Sequence, residues 1–165
     1  MLSDVIPKCI TIIVKRGENL EYSVPGSKIT PKSRRWLVMF IGGKKKMMTQ
    51  LVEAQNGCPV WDTEVTIDLV SPTDPVVMRV QDGDDHHIGQ VIIPLARIPR
   101  SGPPNFDPSK LQYSELEPTK KNNVPRGRLI YWIWATSYWP PGTKLHHKSK
   151  GLRGSLANLK RSKSK

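Results

Sequence analysis

An eight-stranded antiparallel β-sandwich followed by a basic tail is the all-β architecture this chain predicts, and three observations carry it. Short runs of β-branched and aromatic residues alternate with Gly, Pro, Asn and Asp clusters, and no segment before the tail keeps a 3.6-residue apolar repeat. After Trp139-Pro140-Pro141-Gly142 the composition turns to Lys, Ser, Gly and His. We therefore divide the chain into a sandwich domain over residues 1–140 and a Ser/Lys-rich tail over 141–165, disordered or short-helical.

The predicted strands, in order, are Lys8–Lys15, Arg35–Ile41, Lys46–Glu53, Thr63–Leu69, Val76–Gln81, Ile88–Pro94, Leu111–Leu116 and Gly127–Ser137. Alternation is plainest in Thr63–Leu69, where Val65, Ile67 and Leu69 face one way and Glu64, Thr66 and Asp68 the other, so one face is core and one is wet. Leu129–Ala135 is apolar at both parities, which places that strand in the centre of a sheet or under a cover. Its Tyr131, Trp132 and Trp134 read as core. Gly42-Gly43 supplies positive-φ residues for a tight hairpin, so Lys44, Lys45 and Lys46 open the returning strand and are presented to solvent. Pro99–Pro108 is too rich in proline for regular structure.

Composition narrows the function. With 165 residues and 37% hydrophobic content, the chain has material for one modest core. No apolar run approaches the roughly 20 residues that a membrane-spanning helix needs. The start, Met1-Leu2-Ser3-Asp4, lacks the pattern of a secretory signal, so a cytoplasmic address is expected. Cys9 and Cys58 stand outside any zinc-type spacing and are expected to be reduced thiols. No Gly-x-Ser-x-Gly elbow, phosphate loop or His-Glu-x-x-His is present, so a binding module is expected and not an enzyme.

The net charge is +12, of which the stretch from Pro141 onward supplies eight cations and no acid, leaving the body at +4. Within the body, Lys28, Lys32, Arg34, Arg35, Lys44, Lys45 and Lys46 fall in one acid-free stretch. Such concentrations attract phosphate-rich surfaces. In the tail, Leu152, Leu156 and Leu159 fall at i, i+4, i+7 among cations, the sketch of a basic amphipathic helix.

Taken in order, several short sequences resemble the C2 domain. Gly17-Glu18-Asn19-Leu20 is similar to the end of its first strand, and Gly57-Cys58-Pro59-Val60-Trp61-Asp62 to its Asn-Pro-Val-Trp-Asn-Glu turn, whose aromatic plugs the core. Val76–Asp84 with Ile88-Gly89 resembles its Asp-x-Asp…Ile-Gly stretch, Ile92–Leu95 its Ile-Pro-Leu, and Gly127–Trp134 its closing strand. The resemblance covers about residues 8–137. An immunoglobulin-like sandwich is the competing architecture, but the Pro-Val-Trp turn and the Asp-rich turn fit it poorly.

The resemblance implies peripheral binding to anionic membrane lipids through Lys44, Lys45 and Lys46, extended by Arg34, Arg35, Lys28 and Lys32. It implies a place in a larger trafficking or signalling protein. It also points to Asp82, Asp84 and Asp85 as the one candidate calcium cluster. Calcium takes six to eight oxygens, and Lys28, Lys32, Arg34 and Arg35 stand where the family supplies its other carboxylates, so no cofactor is expected. Calcium-dependent lipid binding through the three aspartates is one alternative. The other is a scaffold without lipid binding, with a protein partner such as a small GTPase. Nucleic acid is not the expected partner, because the aromatics read as core.

Overall fold

The computed structural model describes residues 6–20, 35–43, 45–54, 57–69, 73–100 and 107–139. Lys28, Lys32, Arg34, Lys44 and the tail lie outside them. Among the described residues the strands are β1 (Pro7–Glu18), β2 (Arg35–Gly42), β3 (Lys45–Met48), β4 (Val52–Glu53), β5 (Val60–Asp68), β6 (Val76–Asp82), β7 (His87–Ile93), β8 (Gln112–Glu115) and β9 (Arg128–Tyr138). Sheet A runs β5-β1-β9-β8, and sheet B runs β3-β2-β6-β7 with β4 also on β2. All pairings are antiparallel.

Nine strands replace the predicted eight because the Lys46–Glu53 run is split. The cause is Thr49, which is buried and whose Oγ1 accepts the Val38 N–H at 3.0 Å while donating to the Gln50 carbonyl at 2.9 Å. A side chain takes over one rung of the ladder, and the chain leaves β2 before returning as β4.

The core lies between the sheets. Ile10, Ile12 and Val14 of β1, Val65 and Ile67 of β5, and Leu129, Tyr131, Ile133 and Ala135 of β9 face Trp36, Val38 and Phe40 of β2, Val76, Met78 and Val80 of β6, and Val91 and Ile93 of β7. Trp61 in β5 spans the gap, its indole N–H donating at 3.0 Å to the Trp36 carbonyl. Tyr131 keeps its hydroxyl satisfied on the Ser114 hydroxyl at 2.8 Å.

β9 is buried on both sides, as its composition requires, but Trp132 and Trp134 do not belong to the core between the sheets. They lie on the outer side of sheet A, opposite Ile13 and Thr11 of β1. Lys15 Nζ stands 5.5 Å from the Trp132 ring centroid, and the Trp132 indole donates to the Asp107 carbonyl at 3.4 Å. The hairpin glycines also divide their roles differently from the expectation. Gly43 alone of the two has a positive φ, 61°. Gly42 ends β2, where a Cβ would sit 2.8 Å from Ile67 of the other sheet.

The sheets are joined along one side by an isolated bridge, Gln90 to Glu117, with hydrogen bonds of 3.0 and 2.6 Å. Gly89 permits the approach, since a Cβ there would lie 2.7 Å from Leu116 Cβ. Cys9 and Cys58 are both reduced thiols, the first half-buried and the second exposed.

Ile12 is fully buried at the centre of β1. Ile12→Ala is expected to lower the unfolding free energy by about 2–5 kcal/mol, read as a shifted urea midpoint at unchanged slope.

Candidate functional site

Because Trp36, Val38 and Phe40 point into the core, the intervening residues of β2 must point outward, and the register carries the same parity across sheet B. Its outer face therefore presents Arg35, Leu37, Met39 and Ile41 from β2, Val77, Arg79 and Gln81 from β6, and His87, Gln90 and Ile92 from β7. From β3, Lys46 stands opposite Ile41, and Met48 opposite Met39. Met48 is 59% exposed and Ile92 40% exposed. Carboxylates in described strands reach this face only at its margins. Glu53 is opposite Arg35, and Glu117 accepts the Ile92 N–H at 3.2 Å.

Of the predicted basic cluster, Lys46 is exposed on this face, Lys45 pairs with Gly42 through the backbone, and Arg35 is exposed at the far end of β2. Lys28, Lys32, Arg34 and Lys44 fall outside the described residues. Three further cations were not anticipated from sequence: Arg79 in mid-face, and Lys120 and Lys121 in the loop between β8 and β9. The signal for Arg79 was its place at an outward parity in the otherwise apolar Val-Val-Met-Arg-Val run. For the lysines it was the acid-free stretch from Pro118 to Arg128.

Lys120 and Lys121 sit on a closed turn. Thr119 and Asn122 exchange backbone hydrogen bonds of 2.9 and 3.3 Å, and the Thr119 hydroxyl accepts the Lys121 and Asn122 N–H groups at 3.2 and 3.1 Å. The Asn122 amide then donates to the Ile88 carbonyl at 2.9 Å, and its oxygen accepts the Val124 N–H at 3.1 Å. One asparagine thus pins the turn to β7 and leaves Val124 66% exposed beside it.

Two polar atoms on the same region of sheet B are buried without a hydrogen-bond partner: Arg79 Nε and His87 Nδ1. Buried polar groups are nearly always paired, and each orphan costs about 1–3 kcal/mol. Burial holds the His87 pKa below the ordinary histidine range, and the charges of Arg79 and Lys121 act in the same direction while Asp85 opposes them. Arg79 of β6 and Lys121 of the β8–β9 loop therefore bring positive charge toward His87, which burial keeps toward its neutral form.

At the end of sheet B, the β6–β7 loop gathers Asp82, Asp84 and His86, whose potential ligand atoms lie within 4.8 Å of one another. Asp85, at φ 62°, turns the chain beside them. The Asp82 carboxylate is already committed. Oδ1 accepts the Asp84 and His86 N–H groups, each at 2.9 Å, and Oδ2 lies 2.9 Å from His86 Nδ1. His86 turns toward this carboxylate while His87 turns to the sheet face, as adjacent residues on extended chain do.

Glu18, at the exit of β1, is also occupied. Arg16 holds one oxygen at 3.0 Å and Arg128 the other at 2.6 Å. These contacts, Arg128 first, keep the Glu18 carboxyl below the usual glutamate range despite some burial. Both carboxylates are thus engaged by donors of the protein itself.

The topology, the tryptophan between the sheets and the Asp-rich β6–β7 loop converge with a direct sequence match: the C2 domain family profile matches residues 8–109. The chain belongs to the C2 domain family. No match was found among curated protein sequences. Among solved structures, the C2 domain here is similar to the first C2 domain of plant Extended Synaptotagmin 1, at 18% identity and TM-score 0.57, covering 84% of this chain and 98% of that one. It is similar to the paired C2 domains of Extended-Synaptotagmin 2, at 16% identity and TM-score 0.59, covering 100% of this chain and 52% of that one. It is also similar to S. officinalis PLC21, at 16% identity and TM-score 0.55, covering 84% of this chain and 17% of that one. The C2 domain therefore spans about half of the second and about a sixth of the third.

The Glu18 pair gives a pH dependence. A depressed folded-state pKa stabilises the protein above the unfolded glutamate value, and that stability is lost as pH falls through the folded value. Glu18→Gln is expected to lower the melting temperature at neutral pH, with the difference from wild type closing as pH drops below the ordinary glutamate range.

Proposed function

We propose that this C2 domain is a membrane-targeting module that docks reversibly on anionic phospholipids through the outer face of sheet B, without calcium and without catalysis. The observation that carries this reading is the composition of that face. Lys46 and Arg79 share it with exposed Met48 and Ile92, and carboxylates from described strands approach only its edges. Each Lys or Arg near an anionic leaflet contributes about 1 kcal/mol, so a few acting together give salt-sensitive adsorption, while methionine and isoleucine side chains can enter the headgroup layer.

Calcium independence is supported by the prior engagement of Asp82 and Glu18. Among the described residues no helix is long and apolar enough to cross a membrane, which accords with peripheral attachment. Lys44, Lys45 and the tail cations add to the same attraction in this reading. We place the module on cytoplasmic membrane surfaces, within a larger trafficking or signalling protein.

Vesicle co-sedimentation tests the proposal. The chain is expected to sediment with phosphatidylcholine vesicles that carry phosphatidylserine or a phosphoinositide, and not with phosphatidylcholine alone. Binding should be unchanged by calcium or a chelator and should weaken as salt rises. Reversing Lys44, Lys45 and Lys46 to Glu should weaken it by about tenfold or more. Dependence on calcium, or equal binding to neutral vesicles, contradicts the reading.

A further inference from the structure

Sheet A ends on β5, and among the described residues no strand pairs the side of β5 that faces away from β1. Thr63–Asp68 runs in unbroken register with β1, whereas nearer Val60 the register shifts and Asp62 carries a φ of 44°. Thr63–Asp68 is therefore a regular edge with one row of backbone donors and acceptors to spare, and such rows recruit further strands. The other described edges are less open. β3 and β8 have only four residues each, and β7 is bridged to Glu117.

The outward row of this edge is Glu64, Thr66 and Asp68, all exposed, while Val65 and Ile67 are buried. A second copy of β5 added antiparallel would set carboxylates close to carboxylates, which destabilises a strand pair. The edge instead suits a strand with cations on alternate positions.

Such a strand follows β9 in this chain. After Trp139-Pro140-Pro141-Gly142-Thr143, Lys144, His146 and Lys148 alternate with Leu145, His147 and Ser149. Arg161, Lys163 and Lys165 repeat the spacing, but with Ser162 and Ser164 between them they offer nothing apolar to an inner row. Residues from Pro140 onward lie outside the described ones, and Trp139 shows where they set out. Its N–H donates to the Ile6 carbonyl at 2.9 Å, and its ring centroid lies 5.1 Å from Lys8 Nζ, so the chain already leans on β1. β5 finishes at the same end of the sheet, where the Leu69 N–H donates to the Lys8 carbonyl at 2.7 Å. A place beyond β5 is three strand spacings from β9, about 14 Å, and five extended residues reach about 17 Å. β5 and β9 are both antiparallel to β1, so a chain that turns back after β9 runs antiparallel to β5.

We propose that residues 144–149 add to sheet A as a strand on the open edge of β5, with Lys144 opposite Asp68, His146 opposite Thr66 and Lys148 opposite Glu64. Cross-strand pairs of opposite charge favour this register. Leu145, His147 and Ser149 take the inner row against Ile67, Val65 and Thr63, and a slip of one residue would turn Leu145 out among the carboxylates. The pairing does not rest on the membrane reading. It draws on two of the eight tail cations and leaves the others to that role.

Hydrogen exchange of the full chain, read residue by residue by NMR, tests the pairing. In wild type, alternate amides within residues 144–149 are expected to exchange at least about tenfold more slowly than in a free peptide, and those of residues 160–165 at the free rate. Lys144→Glu with Lys148→Glu should abolish that protection and speed exchange of the β5 amides that face away from β1. Adding Glu64→Lys with Asp68→Lys to that variant should restore both. Lys163→Glu with Lys165→Glu should change neither.

Free-peptide exchange throughout residues 144–149 of wild type overturns the proposal, as does protection that the tail reversal leaves untouched. Protection of the β5 edge that rises with protein concentration while residues 144–149 stay unprotected assigns the edge to a second copy and overturns it equally. Should the Glu64 and Asp68 reversals melt early, the tail reversal decides by itself, since it alters no strand of the sandwich. None of these outcomes bears on vesicle binding by sheet B.

Discussion

The burial of Trp36, Val38 and Phe40 along one side of β2 is the constraint on which the rest of the molecule depends. A strand has a side-chain period of two, so a slip of one residue would drive Leu37, Met39 and Ile41 into the core and expel a tryptophan and a phenylalanine. The Trp61 indole, tied to the Trp36 carbonyl, holds that register from the opposite sheet. Once β2 is fixed, β6 and β7 inherit its parity, and Arg79 has no way to face except outward. The electrostatic character of the outer surface is thus a by-product of apolar packing on the inner one.

The polar groups of the C2 domain divide into those that serve the fold and those that remain to be used. Asp82 shapes its own loop, Glu18 clamps the exit of β1 to the start of β9, and Asn122 pins a turn to β7. Each accepts or donates several bonds within the protein. Arg79 and His87 are a contrasting case on the outer side of sheet B, since each carries a covered nitrogen without a partner, as the indoles of Trp36 and Trp139 do elsewhere among the described residues.

Much of the fold was legible because it follows from periodicity. The strict alternation in Thr63–Leu69 reappears as the exposed and buried rows of β5, and the two-sided apolarity of Leu129–Ala135 reappears as a strand covered on both faces. The splitting of Lys46–Glu53 was not legible, because Thr49 reads as an ordinary strand residue and only the tertiary structure brings its hydroxyl to the Val38 amide. Trp132 and Trp134 are buried, as their strand's composition leads one to expect, but outside the cluster between the sheets, because hydrophobicity reports burial and not what provides it. The site was harder still. Runs of lysine are visible in a sequence, whereas Arg79, His87 and Lys121 come from two strands and a distant loop, and nothing local links them.

The Gln90–Glu117 bridge gives the two sheets a spine on the β7 side, while β3 and β5 have no comparable backbone cross-link among the described strands. A book bound along one edge can open only at the other. Breathing motions of the sandwich should therefore concentrate at the hairpin edge, and amide protons near the spine should exchange with solvent last. The half of sheet B beside the binding is in this way the stiffest part of its surface, and rigid geometry there is secured by a contact that lies at its margin.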